Sequence, residues 1–245
     1  MSNYDNKFYE NQKGNSYRSA KLILPIVLDV VKPSSAIDFG CGVGTWLEAL
    51  NEIQPSTKKL VGLDGDWGDK KDKISNNIEF KATDFTQPFH IDNKYDLAMS
   101  LEVAEHLPHE KASLFVESIC SASDVVLFGA AIKGQGGVDH VNEQYQSYWY
   151  KKFKKYGFEC YDLIRANFFN NNEVGVAYRQ NTFVYVNKNS EIFEKFHKFE
   201  AINEKMLDIV HPIVYERKDE KLKSNKFLLK QIVKNILKHG GCRYE

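Results

Sequence analysis

The sequence predicts an α/β fold: a doubly wound, mostly parallel seven-stranded sheet with an antiparallel edge strand, followed by C-terminal helices. Three observations carry that prediction. Short continuous apolar runs alternate with amphipathic segments, as happens where crossover helices bury strands on both faces. Gly40, Gly42 and Gly44 follow the first apolar run directly and open a helix. Asp38, Asp64 and Asp84 stand at the ends of the first three runs, where open α/β sheets bind their ligands.

Residues 1–20 are polar and aromatic. Leu22–Leu28 begins an apolar helical stretch that ends near Pro33, so residues 1–33 read as a helical cover. Ala36–Phe39 is the first strand, and a helix follows over 45–53. Lys59–Asp64, Ile78–Ala82, Tyr95–Leu101 and Asp124–Gly129 are the next four strands, with helices over Lys111–Ser121 and Gln146–Tyr156. Phe158–Ile164 and Asn181–Val186 complete the sheet as a hairpin at its edge. From about Asn187 the chain turns Lys- and Glu-rich. Apolar residues at helical spacing then fill Ser190–Leu207 and Lys221–His239, separated by His211-Pro212. The domain is therefore expected over 1–189, with 190–245 as a helical extension. That extension packs outside the sheet or forms a homodimer contact, or it touches a membrane or an acidic partner.

With 42% hydrophobic and 13% aromatic residues, the 245-residue chain can bury a substantial core. Lys and Arg balance Asp and Glu at 33 each, so no net field favours nucleic acid or an anionic membrane. The N-terminus shows no apolar signal region, and no run approaches the ~20 apolar residues of a membrane span. A cytoplasmic location without stable membrane insertion is expected. Cys41, Cys120, Cys160 and Cys242 form no CxxC pair, and Cys120 and Cys160 read as small buried hydrophobes.

The chemistry concentrates in Ala36-Ile37-Asp38-Phe39-Gly40-Cys41-Gly42-Val43-Gly44-Thr45. Glycines let the backbone turn sharply and come close to a ligand. A dinucleotide site wants Gly-x-Gly-x-x-Gly. Gly40 and Gly42 fit, but Thr45 holds the third position and Gly44 falls one residue early. An acid-x-Gly-x-Gly-x-Gly order suits a ligand with an ammonium group and no pyrophosphate, which describes S-adenosylmethionine (SAM). Asp38 would orient the amino-acid end, and Asp64 with Gly65 would receive two ribose hydroxyls. Asp84 is placed for the adenine amino group, and Phe85 either covers the ring or packs in the core. An NAD-dependent oxidoreductase is the competing class, with Thr45 against it.

Gly62-Leu63-Asp64-Gly65-Asp66-Trp67, Ala82-Thr83-Asp84-Phe85 and Ser100-Leu101-Glu102-Val103-Ala104-Glu105-His106-Leu107 extend the pattern. With the glycine loop they resemble the Rossmann-like class I SAM-dependent methyltransferases over about residues 15–186. Ser16-Tyr17-Arg18-Ser19-Ala20, Gly136–Gln144 and Ser147-Tyr148-Trp149 narrow the resemblance to a bacterial subgroup associated with capsule and O-antigen biosynthesis. The resemblance implies SAM as cofactor, S-adenosylhomocysteine as product, a small-molecule acceptor and no nucleic acid. It also implies SAM-side roles for Leu101 and Glu102. Tyr17 and Arg18 would close the pocket from the N-terminal helix, with Arg18 either on the SAM carboxylate or in a surface salt bridge.

Methyl transfer from a sulfonium is an in-line displacement, so alignment supplies much of the rate. A hydroxyl acceptor must also lose its proton, and a neutral histidine is a suitable base near pH 7. His140 is the preferred base, in a loop freed by Gly134, Gly136 and Gly137; a loop-ordering hydrogen bond is its alternative role. His106 is the second candidate, with a structural or SAM-side role as its alternative. Glu102 would face the methionine portion or the acceptor. His106, His109, Glu110 and Glu102 lie close in sequence, but Pro108 breaks the helix that would align them, so no metal is expected. The expected reaction is O-methylation of a sugar-linked, phosphorylated or phosphoramidate intermediate of a bacterial surface glycan. The alternatives are N-methylation of an amino-sugar and a non-catalytic SAM-binding scaffold.

Overall fold

A computed structural model describes residues 6–65, 74–89, 91, 93–224, 228–230 and 232–233. Asp66, Trp67, Cys242 and most of the predicted Lys221–His239 helix lie outside the described residues.

The sheet contains β1 (Ser35–Phe39), β2 (Lys59–Asp64), β3 (Glu79–Ala82), β4 (Leu97–Leu101), β5 (Val125–Gly129), β6 (Phe158–Tyr161) and β7 (Phe183–Asn187). Its strand order is β3-β2-β1-β4-β5-β7-β6. The pairs linking β3 through β5 are parallel, and β7 runs antiparallel to both β5 and β6. The chain builds outward from β1 to β3, then returns to lay β4 on the other side of β1. That reversal leaves a crevice at the carboxyl ends of β1 and β4, the usual place for a ligand in such sheets.

Both faces of the sheet are covered, which is why its central strands read as unbroken apolar runs. Every residue of β4 and β5 is buried. On one face, α1 (Asn6–Val31) and α2 (Thr45–Ile53) bring Ile23, Leu24, Leu47 and Leu50 against Ala36, Leu60 and Met99. On the other, α3 (Ala112–Ala122) and α4 (Gln146–Lys155) bring Phe115, Ile119, Trp149 and Phe153 against Ile37, Ala98 and Phe128. Among the described residues, Cys41, Cys120 and Cys160 are buried and form no disulfide with one another, and no helix is long and apolar enough to cross a membrane.

The structure departs from the sequence pattern in four places. The first helix starts at Asn6, well before Leu22, and runs through Pro25. The strand predicted over Phe158–Ile164 stops at Tyr161, because the Asp162 side chain accepts the Arg165 N–H and caps α5 (Leu163–Phe168). A further short helix, α6 (Val176–Asn181), precedes β7.

The fourth departure is the tail, where the helix predicted over Ser190–Leu207 gives way to two 3-10 turns, Glu191–Phe196 and Glu204–Met206. Here tertiary contacts override helical spacing. Phe196 and Leu207 are fully buried in the core, and the Ile202 N–H donates to the Cys160 carbonyl of edge strand β6 (2.9 Å). The buried Arg165 guanidinium donates to the carbonyls of Met206 (2.8 Å) and Leu207 (2.9 Å), pairs with Asp162 and lies over the Phe183 ring. Helical structure resumes at α7 (Pro212–Lys223), with proline at its first position.

Candidate active site

The glycine loop leaves β1 with Gly40, Gly42 and Gly44 all at positive φ (81°, 55° and 94°). A Cβ on Gly40 would run into Val103, whereas one on Gly42 would meet nothing within 4 Å. The loop is tied to β2 by the Gly40 and Cys41 N–H groups on the Leu63 carbonyl. Asp64, at the end of β2, accepts the N–H of Gly42 (2.5 Å) and of Gly65 (2.7 Å). Asp38 is buried beneath the loop, and burial, with Asp64 nearby, pushes its carboxyl up to about 8. A bound ammonium would favour its ionised form.

Other sequence candidates lie differently. Asp84 is exposed and accepts the Thr86 N–H (2.9 Å) and hydroxyl (2.7 Å), which hold its carboxyl below the ordinary range. Phe85 is 5% exposed and packs among Phe39, Phe89 and Phe115, so of its two readings the structure selects the core. A cavity of ≈ 360 Å³ borders Asp84 under the following loop, lined by Ile37, Val61, Leu63, Phe89 and Tyr95. Leu101 is buried at the end of β4. Tyr17 turns to α2, donating to Glu52 (2.5 Å), which Lys21 also reaches (3.0 Å); the Glu52 bond and burial push its phenol up to about 12. Arg18 is exposed on α1. Tyr178 of α6, rather than Tyr17, stands near Asp38 and Glu102. Its buried hydroxyl is pushed up to about 12 by burial, against hydrogen bonding to Ser16 and Trp46 and with the charges of Glu102 and Asp38 adding.

A second group of side chains gathers at the end of β4. Glu102 has the left-handed φ of 58°, a strained conformation for a non-glycine residue and one that concentrates at functional sites. Its carboxylate accepts the side-chain amides of Gln135 (2.8 Å) and Asn181 (2.9 Å). Asn181 in turn donates to Gln135 (2.8 Å) and accepts from Gln146 (3.2 Å). Burial raises the Glu102 carboxyl above its ordinary range, against these bonds and the nearby His140.

Glu105 is 0% exposed, and among the described residues neither carboxylate oxygen has a hydrogen-bond partner. Burial and Glu102 hold its carboxyl well above the usual range; the N–H groups of Glu105 and Ala131, short of hydrogen-bond geometry, offset only part of this. His140 joins its Nδ1 to Glu143 (2.9 Å) and turns Nε2 toward Glu105 (3.9 Å). Glu143 is pinned by the N–H groups of Gly134 (2.8 Å) and Gly136 (2.7 Å); despite burial, the bonds from His140 and these amides hold its carboxyl low. His106, exposed on one side, places its ring 4.8 Å from that of His140, nearly perpendicular, and partial desolvation and His140 push its pKa down.

Comparison with known proteins decides what these two groups of residues belong to. Residues 13–171, more than half of the chain, match the family described as "Methyltransferase domain". The chain belongs to that methyltransferase family. Its methyl donor is SAM. A search of curated proteins finds no match. Among solved structures, the methyltransferase domain of bacterial CtHen1-C superimposes with a TM-score of 0.53 at 17% identity, covering 69% of this chain and 97% of that one. An O-methyltransferase family protein from Burkholderia thailandensis gives 0.54 at 10% identity, covering 77% and 61%. Magnesium protoporphyrin IX methyltransferase from Synechocystis PCC 6803, bound to S-adenosylhomocysteine, gives 0.51 at 18% identity, covering 76% and 89%. At these identities the likeness is one of fold.

In this methyltransferase the structure brings Asp38, Gly40, Gly42, Gly44, Asp64 and Gly65 together after β1 and β2, and Glu102, His106 and His140 after β4 and β5. It does not bring Tyr17 or Phe85 into either group. Sequence reasoning passed over Glu105, Gln135, Tyr178, Asn181 and Gln146 as site residues, and it named Glu143 only as a polar partner in the His140 loop. Glu105 had a signal, because Glu102-x-x-Glu105-His106 is a compact block whose 3-10 turn places both acids on one side of the crevice. Tyr178 and Asn181 had none, since they lie in or beside a segment that reads as a strand.

Proposed function

We propose that this methyltransferase O-methylates a small sugar-linked acceptor, phosphorylated or phosphoramidate-bearing, in the assembly of a bacterial capsule or surface glycan. The observation that carries the reading is the 2.9 Å bond from His140 Nδ1 to the pinned Glu143. It supports the reading by fixing the ring and leaving Nε2, 3.9 Å from Glu105, as the nitrogen that would face an acceptor hydroxyl.

SAM supplies an electrophilic methyl group on a sulfonium when bound. The residues after β1 and β2 fit it, because Gly42 leaves open space and Asp64 presents a carboxylate already held by two N–H groups. Asp64 would hold the ribose hydroxyls and Asp38 the amino-acid end. Glu102, locked by Gln135 and Asn181, would place negative charge near the sulfonium, and His140 Nε2 activates the hydroxyl. Lys218 of α7 lies against the Gly134 loop, where a Cβ on Gly134 would stand 2.5 Å from its ammonium. That position suits a phosphate on the acceptor. The glycan class rests on the resemblance of the Gly136–Gln144 and Ser147–Trp149 blocks.

The test is incubation with methyl-labelled SAM and fractionated bacterial metabolites, including nucleotide sugars and sugar phosphates, read by mass spectrometry. Label on a sugar-linked oxygen is expected. Label on an amino-sugar nitrogen moves the reading to N-methylation, and transfer confined to non-glycan acceptors overturns the glycan class.

A further inference from the structure

Five ionisable side chains converge at the end of β4, and their partners do not balance. Glu102 takes two amide donors, and Glu143 takes two backbone N–H groups and a histidine. Glu105 lies between them, 0% exposed, with both oxygens unpartnered among the described residues. A buried carboxyl without donors is either protonated or compensated by a cation. The groups facing it are the Glu102 carboxyl, which raises its proton affinity, His140, 3.9 Å away, and His106, whose ring stands against that of His140. One donor atom from each of Glu105, His106 and His140 falls within a mutual distance of 4.8 Å.

We propose that Glu105, His106 and His140 bind a first-row divalent cation, of the kind represented by Mn2+ or Co2+, which holds the acceptor hydroxyl. The proposal rests on the reading that His140 faces that hydroxyl, and it says how the activation is done: His140 holds the cation and does not take the proton itself. Three observations converge on it. The donor set mixes imidazole with carboxylate, which suits these ions better than Mg2+ or Ca2+. His140 already has the carboxylate–histidine arrangement typical of a ligating imidazole, with Nδ1 on Glu143 and Nε2 turned to the other ligands. The ligand loop is specifically shaped: Asp139 adopts φ 57°, and a Cβ on Gly137 would collide with the His140 ring.

Donors on one such ion sit about 2.0–2.2 Å from it and so roughly 3 Å from one another. The observed spread closes with side-chain movements of about 1 Å, estimated from that same spacing. Three protein ligands leave open positions for the acceptor oxygen and water. A cation there lowers the pKa of the hydroxyl. The O–H bond breaks with its proton released to solvent, the oxygen attacks the methyl carbon, and the electrons of the carbon–sulfur bond stay with sulfur.

The test uses the full chain, stripped with a chelator and dialysed, then titrated without acceptor. Mn2+ is followed by electron paramagnetic resonance and Co2+ by visible absorption. One equivalent is expected to bind, with Co2+ bands of imidazole–carboxylate coordination. Glu105→Gln and His140→Gln should each weaken binding by about 10- to 100-fold or more. His109→Ala, at an exposed histidine outside the cluster, should leave it unchanged. SAM binding by each variant reports that it is folded; if Glu105→Gln fails to fold, His140→Gln alone carries the test. Absence of stoichiometric binding, or binding indifferent to these substitutions, overturns the proposal. Methyl transfer is measured separately. Transfer that survives the chelator and still needs His140 overturns the cation and keeps the function; a cation bound at these residues with no transfer to any hydroxyl does the reverse.

Discussion

The two halves of the crevice are built by different means. The half proposed to hold the donor, the donor half, lies after β1 and β2 and is made chiefly of backbone: three positive-φ glycines and a carboxylate held by two of the chain's own N–H groups. All of it comes from two short segments. The half proposed to meet the acceptor is made of side chains from four separate segments, around Glu102–His106, Gln135–His140, Gln146 and Tyr178–Asn181, joined by amide and carboxylate hydrogen bonds. A donor common to many reactions needs only a local cradle. An acceptor particular to one reaction is recognised by groups that only the whole fold assembles.

The halves touch where Gly40 faces Val103, the residue after Glu102. Gly40→Val should therefore break both at once. The substitution adds left-handed strain and overpacking, together about 2–5 kcal/mol of stability. Loss of SAM binding and a large fall in melting temperature are expected, from calorimetry and thermal unfolding. His140→Ala should instead separate the halves, cutting the transfer rate by about 10^2- to 10^4-fold while the SAM dissociation constant stays within a few-fold. Asp64→Asn should do the converse and weaken SAM by about 10- to 100-fold, the worth of charge-assisted bonds to the ribose. If His140→Ala weakened SAM as much as Asp64→Asn, the division into halves would be wrong.

The same contrast explains what the sequence revealed. Gly40, Gly42, Gly44, Asp38 and Asp64 were legible because turn geometry and strand ends leave a local mark. Apolar runs placed the strands within a few residues because the sheet is buried on both faces. The failures share another cause. Residues 190–207 have helical spacing, yet the Cys160 carbonyl and Arg165 draw them along β6 and into the core. Phe85 followed a strand like an adenine cover, but three neighbouring phenylalanines claim it. Gln135 and Asn181 acquire their roles only through partners 33 to 79 residues distant.

Asp38 offers a finer probe of the donor half. Its carboxyl sits at about 8 in the folded chain against 3.8 for an ordinary aspartate. Between those values the unfolded chain has released a proton that the folded chain keeps, so this group makes stability fall as pH rises from about 4 through about 8. The slope is at most about 1.4 kcal/mol per pH unit. Melting temperatures of the wild type and Asp38→Asn across that window should converge at its acid end and separate toward its alkaline end, with the variant the flatter. Parallel curves would mean that Asp38 is solvated and ionised, and would remove the compensation that a ligand ammonium provides.

The smallest effects concern α1, where sequence and structure pull apart. Tyr17 and Arg18 resemble residues that close over SAM, yet Tyr17 is bonded to Glu52 on α2 and Arg18 faces solvent. Tyr178 instead stands near Asp38 and Glu102, between the halves. Tyr17→Phe and Arg18→Ala should then change the SAM dissociation constant by less than about twofold, as exposed substitutions away from a site do. Tyr178→Phe should shift it more, because it removes a buried hydroxyl hydrogen-bonded to Ser16. A reversed order, with Arg18→Ala the costlier change, would mean that α1 swings over the bound donor, so that the cradle after β1 is completed by a segment from outside the sheet.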